Sequence, residues 1–359
     1  RRRWLSERSY ADLVALCQFL PGPASSQVGI ALGLSRAGYS GALAAWTGFT
    51  LPSAVALILF ALGISNYGDS VSPGALHGLK VVAVAVVAQA VWGMARNLCT
   101  DGLRVTIMAI AACAVLLVPS AWGQVGVIAA AGIIGRLLFK PAHTVEHDPL
   151  PITVSHRAGA LWLSLFFALL IGLPILAKLL PSPTMVVVDA FYRVGSLVFG
   201  GGHVVLPLLQ AEVVSSGWVS NESFLAGYGA AQAVPGPLFT FAAFLGASMS
   251  TAPSGWVGGI VCLLAIFAPS FLLVVGAMPF WERLRRNTGM QAALAGVNAA
   301  VVGLLLAAFY HPVWTSAIFQ PQDFVLALVA LVALMFWKLP PWLVVVGSGA
   351  AGWLLSIAL

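Results

Sequence analysis

Long apolar stretches separated by short polar loops make up most of this chain. Residues 42–62 and 161–177 are two such stretches, and neither contains a charged side chain. A helix of about 20 apolar residues is long enough to cross a hydrocarbon layer of about 30 Å. The pattern therefore predicts an all-α, polytopic membrane protein.

The composition supports the same prediction. Of the 359 residues, 60% are hydrophobic and 8% are charged, whereas about 25% of the residues of a soluble domain are charged. The net charge of +6 comes from basic residues in short loops, where they set the orientation of membrane helices. The sequence contains no nucleic-acid motif and no Cys or His spacing typical of a metal site. We expect a lipid bilayer as partner, and no nucleic acid, metal or cofactor.

The second part of the sequence repeats the first. Four residues recur in order 214 positions later: Gln18, Pro21, Gly22 and Pro23 match Gln232, Pro235, Gly236 and Pro237. Further along, the offset is 217 or 218, and it matches Ser53 to Ser270, Gly78 to Gly296 and Gly135 to Gly352. The repeat predicts two homologous halves. The first half spans residues 1–139, a cytoplasmic linker spans 140–157, and the second half spans 158–359.

Basic residues in the loops predict that the halves have opposite orientations. Lys and Arg accumulate on the cytoplasmic side of a membrane. In the first half they occupy one set of loops: Arg1, Arg2, Arg3, Arg36, Arg96, Arg104, Arg136 and Lys140. The second-half equivalents, around residues 214–217, 250–255 and 310–323, contain no Lys or Arg. There the basic residues lie in the opposite loop: Arg283, Arg285 and Arg286. Such inverted topology is common in secondary transporters.

Each Pro-Gly-Pro segment predicts a re-entrant helical hairpin. The stretches at residues 6–20 and 23–35 would form helices about 20 Å long at about 1.5 Å per residue, too short for a core of about 30 Å. Flanking arginines place both ends of this hairpin inside, so the chain dips into the membrane and turns at Pro-Gly-Pro. The hairpin at residues 220–250 would enter from the other side. Two serines followed by acids are predicted N-caps at the hairpin mouths: Ser6 with Glu7, and Ser220 with Glu222.

The turn residues indicate an anion-binding site. They are Pro21, Gly22 and Pro23 in the first half and Pro235, Gly236 and Pro237 in the second. The first proline ends one limb, the second suits the start of the next helix, and the glycine lets a ligand approach the backbone. The next helix then points unpaired N–H groups at the membrane interior, which favours an anion. Nearby side chains add donors: Ser25, Ser26, Gln27 and Thr240. In the alternative interpretation, Pro-Gly-Pro is only a helix kink.

A second glycine-rich element, FGGGH, interrupts the apolar stretch at residues 185–215 and predicts another re-entrant hairpin. It contains Gly200, Gly201, Gly202 and His203. Consecutive glycines can form a nest of N–H groups that holds an anion, and they can equally allow close helix packing. His203 is either a neutral hydrogen-bonding residue or a proton-coupling residue. The sequence leaves these alternatives open.

Two basic residues lie inside predicted membrane segments, where a charge costs about 2.5–3.5 kcal/mol on insertion scales. Arg193 and Lys80 are therefore candidate anion contacts. Alternatively, Arg193 pairs with Asp189, four residues earlier on one helix face, and Lys80 extends its ammonium group to the outer surface. Asp12 and Glu212 are candidates for a proton site or for structural pairing.

Three segments resemble the chromate ion transporter family: WLSERSYADLVALCQFLPGPASSQVGIALG, FGGGHVVLPLLQAEVV and WVSNESFLAGYGAAQAVPGP. The resemblance covers essentially the whole chain. It implies a multi-pass protein of the bacterial or archaeal inner membrane that is associated with chromate export and resistance, with sulfate as the look-alike anion. Family members carry a further Phe-Gly-Gly segment before the first Trp-Leu region, so the resemblance also implies an N-terminally truncated chain.

We therefore expect an alternating-access transporter that exports chromate, driven by the membrane potential, with proton exchange as an additional driving force. Moving one charge across 100 mV is worth about 2.3 kcal/mol, so expelling a dianion gains about twice that. Uptake of sulfate or another oxyanion is the alternative. An intramembrane lipid phosphatase would need a clustered acid, base and nucleophile, which Pro-Gly-Pro lacks nearby, so we expect no enzymatic activity. A homodimer is a further expectation.

Overall fold

The computed structural model describes residues 7–67, 72–139, 154–180 and 182–358, and these residues are almost entirely helical. The predicted first half contains α1 (Glu7–Phe19), α2 (Ala24–Tyr67), α3 (Pro73–Leu98), α4 (Gly102–Leu117) and α5 (Ala121–Leu138). The α-helices that follow are α6 (His156–Leu179), α7 (Pro183–Leu197), α8 (Val205–Val213), α9 (Asn221–Ala231), α10 (Phe241–Ala247), α11 (Gly255–Ala277), α12 (Trp281–Arg286), α13 (Thr288–Ala308), α14 (Pro321–Met335) and α15 (Pro341–Ala358). The predicted all-α fold class is confirmed.

Within the described residues, six segments are long and apolar enough to cross a membrane: Ala24–Ser65, Pro73–Leu98, Ala121–Leu138, His156–Leu179, Gly255–Phe280 and Thr288–Trp314. The last two are mostly buried and lie at the centre of the bundle, whereas His156–Leu179 is mostly exposed. Outward-facing Leu137, Leu161 and Phe336 are 75%, 69% and 73% exposed. Apolar surface on this scale is unfavourable in water and suits contact with lipid. The chain is thus a multi-pass membrane protein.

Serine side chains define where several helices begin. Four of them accept a hydrogen bond from the backbone N–H three residues later: Ser120, Ser155, Ser182 and Ser220. This is the preferred way to satisfy a free N–H at a helix start. The N-cap predicted at Ser220, with Glu222 in the first turn, is confirmed, while Ser6 lies outside the described residues.

The helix α2 is broken near the predicted end of the first hairpin. Ala37–Gly38 leaves the helical conformation, and Gly38 has a φ of +64°. A Cβ on Gly33 would collide with the carbonyl of Gly41, so the segments on either side of the break fold back closely on each other. In the second half, α10 and α11 make the same kind of contact between Gly246 and Gly258.

Helices from the two predicted halves pack against each other. Helix α5 packs on α13 of the other half, where Gly135 lies against Gly296, and α15 packs on α3, where Gly352 lies against Gly78. A Cβ on any of these glycines would come under 3.0 Å from a backbone atom, so only glycine permits the approach. Because Gly78 matches Gly296 in the repeat and Gly135 matches Gly352, these are the same contact with the halves interchanged.

The predicted linker falls mostly outside the described residues, which exclude 140–153. Helix α6 begins at His156, two residues before the predicted start of the second half, and Ser155 caps it. Helix α6 packs mainly on α7 and α11, and it also contacts α2, where the indole N–H of Trp162 donates to the Tyr39 hydroxyl over 3.1 Å.

The tight crossing of α5 and α13 makes a testable prediction. Gly135→Ala should lower stability by about 1–3 kcal/mol through overpacking, because its Cβ would lie 2.6 Å from the Ala292 carbonyl oxygen. Gly126→Ala on the same helix is the matched control, since nothing lies within 4 Å of its Cβ position, and alanine favours a helix by about 0.5–1 kcal/mol over glycine. Thermal midpoints of the detergent-solubilised variants measure the difference. Equal midpoints for the two variants would show that α5 and α13 do not pack as closely at Gly135 as described.

Candidate functional site

The two Pro-Gly-Pro segments form turns at corresponding places in the two halves. Residues 21–23 connect α1 to α2, and residues 235–237 connect α9 to a short 3-10 helix, Leu238–Thr240, that leads into α10. Both central glycines have positive φ, 127° at Gly22 and 153° at Gly236. Residues with a Cβ rarely adopt this conformation. The turns predicted from the sequence are therefore present, and each depends on its glycine.

Hydrogen bonds from two directions hold the first turn. The Gly22 N–H donates to the carbonyl of Val198 over 2.7 Å, and Nε2 of Gln27 donates to the carbonyl of Pro21 over 2.7 Å. A Cβ on Gly22 would lie 2.5 Å from both Gln27 Nε2 and Ser270 Oγ. The Gly22 N–H is therefore paired, because the segment after α7 supplies its acceptor. The unpaired N–H groups predicted from the sequence belong to the helix that follows the turn.

The helix that follows the first turn retains free donors. Its first intrahelical backbone bond runs from Gln27 N–H to the carbonyl of Pro23 over 3.0 Å. The N–H groups of Ala24, Ser25 and Ser26 precede that bond and have no intrahelical acceptor. The side chain of Ser25 is exposed, while Ser26 is 2% exposed. The Ser26 hydroxyl and Gln27 Oε1 are buried without a partner among the described residues.

The second turn is closed by hydroxyl groups. Ser53 Oγ, from α2 of the other half, donates to the carbonyl of Pro235 over 2.5 Å. Thr240 Oγ1 donates to the carbonyl of Pro237 over 2.8 Å. We predicted Thr240 as a donor to the anion, but its hydroxyl proton is already used within the turn. A Cβ on Gly236 would collide with Ser53.

Each turn is thus contacted by a serine from the opposite half. Ser53 lies at the second turn and Ser270 at the first, and both serines follow a proline within a long helix. We did not predict either of these contacts. The signal was available, since Ser53 and Ser270 match each other in the repeat, but the repeat alone does not show that they cross over.

The glycine segment brings the two turns together. The predicted interruption is confirmed: α7 ends at Leu197, and a 3-10 helix begins at Gly202. Gly200 and Gly201 have φ values of 76° and 152°. The segment reaches the first turn through the carbonyl of Val198, and a Cβ on Gly202 would lie 3.7 Å from the Cβ of Leu238, directly after the second turn. Three elements predicted from separate parts of the sequence therefore meet.

Two further side chains lie along this segment. His203 Nδ1 is 2.8 Å from the hydroxyl of Tyr228, which is fully buried, so the hydrogen-bonding role considered for His203 has a partner. Asn298 Oδ1 lies 3.5 Å from the Cβ position of Gly200. This oxygen is buried and unpaired within the described part of the chain.

Arg193 is paired with two acidic side chains. Its guanidinium lies 3.4 Å from Asp189 and 3.1 Å from Glu212, and it stacks over the ring of Trp122 at 4.9 Å. The pairing with Asp189 was the alternative considered from the sequence, while Glu212 comes from α8. A guanidinium neutralised by two carboxylates has little attraction left for another anion.

Lys80 and Asp12 also have partners that the sequence did not reveal. Lys80 Nζ lies 3.6 Å from Glu222 Oε1 at the start of α9. Lys80 therefore has an acidic partner, although no acid lies near it in the sequence. The indole N–H of Trp281 donates to Asp12 Oδ2 over 3.1 Å. Across the described ranges, no group of three or more His, Cys, Asp or Glu side chains could hold a metal ion.

Comparison with known proteins places this arrangement in context. A family model described as "Chromate transporter" matches residues 1–136 and 185–353. A chromate transport protein of Pseudomonas aeruginosa is 27% identical, over 98% of this chain and 84% of the relative. A probable chromate transport protein of Synechococcus elongatus is 25% identical, over 98% and 86%. An uncharacterised transporter of Methanocaldococcus jannaschii is 28% identical, over 85% and 75%. No solved structure matches the chain.

The matched proteins are transporters, not enzymes. This finding argues against the lipid phosphatase considered from the sequence. Such an enzyme would also need an acid, a base and a nucleophile beside the turn.

The Arg193 cluster makes a prediction about stability. Arg193→Gln leaves two carboxylates buried without their cation, which should cost about 3–5 kcal/mol. Arg104→Gln is the matched control, because Arg104 forms a more exposed pair with Asp101 at 3.2 Å, and such pairs are worth about 1 kcal/mol or less. Thermal unfolding in detergent should show a much lower midpoint for Arg193→Gln. Similar midpoints for the two variants would exclude a structural role for the buried cluster.

Proposed function

The chain belongs to the chromate transporter family, and from this premise we propose that it carries chromate out of the cytoplasm across the inner membrane of a bacterium. Two of its relatives are a chromate transport protein and a probable one, which supports chromate as the transported anion. The transporter alternates between inward-open and outward-open forms, with the anion held between the halves.

The proposed anion site lies where the two turns and the glycine segment meet. The observation that carries this placement is the hydrogen bond between Gly22 N–H and the Val198 carbonyl, together with the proximity of Gly202 to Leu238. Irregular backbone at membrane depth occurs where it is buried in protein or lines a polar cavity. The free N–H groups at the start of α2 favour a negative ligand there.

We propose that the two halves are inverted repeats with re-entrant hairpins. The exchanged contacts support this topology, because Gly78 with Gly352 and Gly135 with Gly296 are equivalent pairs. The loop distribution of Lys and Arg supports opposite orientations. The halves are those predicted, residues 1–139 and 158–359, joined by a cytoplasmic linker at 140–157.

The membrane potential sets the direction of transport. With the inside negative, expelling a dianion across 100 mV gains about 4.6 kcal/mol, which corresponds to a gradient of roughly a thousandfold. Export therefore needs no coupling ion. Proton exchange would add to the driving force.

Sulfate uptake is the second candidate, because sulfate and chromate are both tetrahedral dianions that need the same donors. Uptake against the potential would require several co-transported cations. Among the described residues, largely enclosed carboxylates are candidates to bind such cations. Asp189 and Glu212 are paired with Arg193, and Asp12 accepts a hydrogen bond from Trp281. This pairing favours export over uptake.

Flux measurements test the proposed site. Inside-out vesicles with a lumen-positive potential should accumulate radiolabelled chromate. Gly22→Val and Gly236→Val should reduce uptake to the level of empty vesicles, because each side chain would enter the turn at positive φ and collide with Ser270 or Ser53. Gly48→Val is the control, since nothing lies within 4 Å of its Cβ position.

The membrane insertion of each variant is checked by the amount of protein recovered in the vesicles. Normal transport by both inserted turn variants would show that Pro-Gly-Pro is only a kink. Accumulation of sulfate without chromate would overturn the substrate and leave the fold intact.

A further inference from the structure

Hydroxyl groups at the two turns are used differently. The repeat matches Ser26 to Thr240, and it matches Ser270, at the first turn, to Ser53, at the second. At the second turn both hydroxyls donate to carbonyls of that turn. At the first turn the corresponding hydroxyls, of Ser26 and Ser270, have no hydrogen-bond partner within the described ranges. The hydroxyls at these two repeat positions therefore have hydrogen-bond acceptors at the second turn and none at the first.

Both unsatisfied hydroxyls are fully enclosed by protein. Ser26 is 2% exposed and Ser270 is 0% exposed, so water does not replace the missing partner at the surface. Burying a hydroxyl without a hydrogen bond is unfavourable. Such a group in a native structure points to a ligand or to a second conformation.

These hydroxyls are grouped with other donors. Ser26 lies in the first turn of α2, beside the free N–H groups of Ala24 and Ser25. Ser270 Oγ lies at Gly22, 2.5 Å from the position of its absent Cβ. The second turn offers a poorer environment, since the residues that match Ala24 and Ser25 are Leu238 and Phe239.

We infer that the anion binds at the first turn, where the hydroxyls of Ser26 and Ser270 donate hydrogen bonds to it together with the N–H groups at the start of α2. The second turn has a structural role, because its hydroxyl groups already donate to carbonyls of the turn. This inference rests on the proposed function, because the ligand it names is a tetrahedral oxyanion, chromate or sulfate. The anion then joins the halves, since Ser26 belongs to the first and Ser270 to the second.

Binding measurements on paired serine variants test this inference. The purified full chain in detergent is dialysed against radiolabelled chromate, with unlabelled sulfate as competitor. Ser26→Ala and Ser270→Ala should each raise the Kd about tenfold or more, the loss expected for a hydrogen bond to a charged group. Ser26→Thr keeps the hydroxyl, as Thr240 does in the second turn, and should bind within a few-fold of the unmodified protein.

Ser53→Ala is the matched control. It should leave the Kd for chromate unchanged and lower the thermal midpoint without anion, because it removes the bond to Pro235. Ser270→Ala should have an anion-free midpoint equal to or above that of the unmodified protein, since it removes a buried, unpaired group. Weaker binding without lost stability is a result that a purely structural role does not produce.

The outcomes separate the inference from the proposed function. If the unmodified chain binds chromate and both Ser26→Ala and Ser270→Ala bind it equally well, the inference is overturned and the transporter proposal stands. If Ser53→Ala weakens binding as much as Ser270→Ala, the site uses both turns and the inference is also wrong. An unmodified chain that binds neither chromate nor sulfate would overturn both.

Discussion

Backbone polar groups inside a membrane have no water to bond with, so a broken helix there must find its partners within the protein. This constraint explains how the Pro-Gly-Pro turns are built. The Gly22 N–H is satisfied by Val198 of the second half, and the Pro235 carbonyl is satisfied by Ser53 of the first. Neither half can complete its own turn. The two halves therefore depend on each other at the centre of the bundle, and the glycine crossings between α5 and α13 and between α3 and α15 extend that dependence along the molecule.

The same dependence suits a transporter. A site assembled from both halves changes its shape whenever one half moves against the other, and alternating access requires such a change. The charged side chains of Arg193 and Lys80 pair with acidic residues and are not free to bind an anion. Arg193 is held between Asp189 and Glu212, and Lys80 faces Glu222. Backbone N–H groups and the hydroxyls of Ser26 and Ser270 remain as donors at the first turn. Neutral donors of this kind can bind a dianion without holding it so tightly that release becomes slow.

Much of the fold followed from local sequence signals. Apolar length predicted the helices, and Pro-Gly-Pro and FGGGH predicted the interruptions, because proline and glycine act on the backbone directly. Partners across the halves were not predictable. Ser270 reaches Gly22, and Ser53 reaches Pro235, through packing that brings distant segments together, and no local pattern reports such distances. The repeat held part of the answer, since it matched Ser53 to Ser270 and Gly78 to Gly296, but a match between positions does not show that the helices are exchanged.

A crystal of the protein grown with chromate offers the most direct test of the central claim, that the anion is held where the turns meet. Chromium scatters X-rays anomalously, so an anomalous difference map locates it without reference to the rest of the density. The account predicts a single peak between the start of α2 and Ser270, within hydrogen-bond reach of the Ser26 hydroxyl. A peak beside Arg193 or Lys80, with none at the first turn, would contradict it.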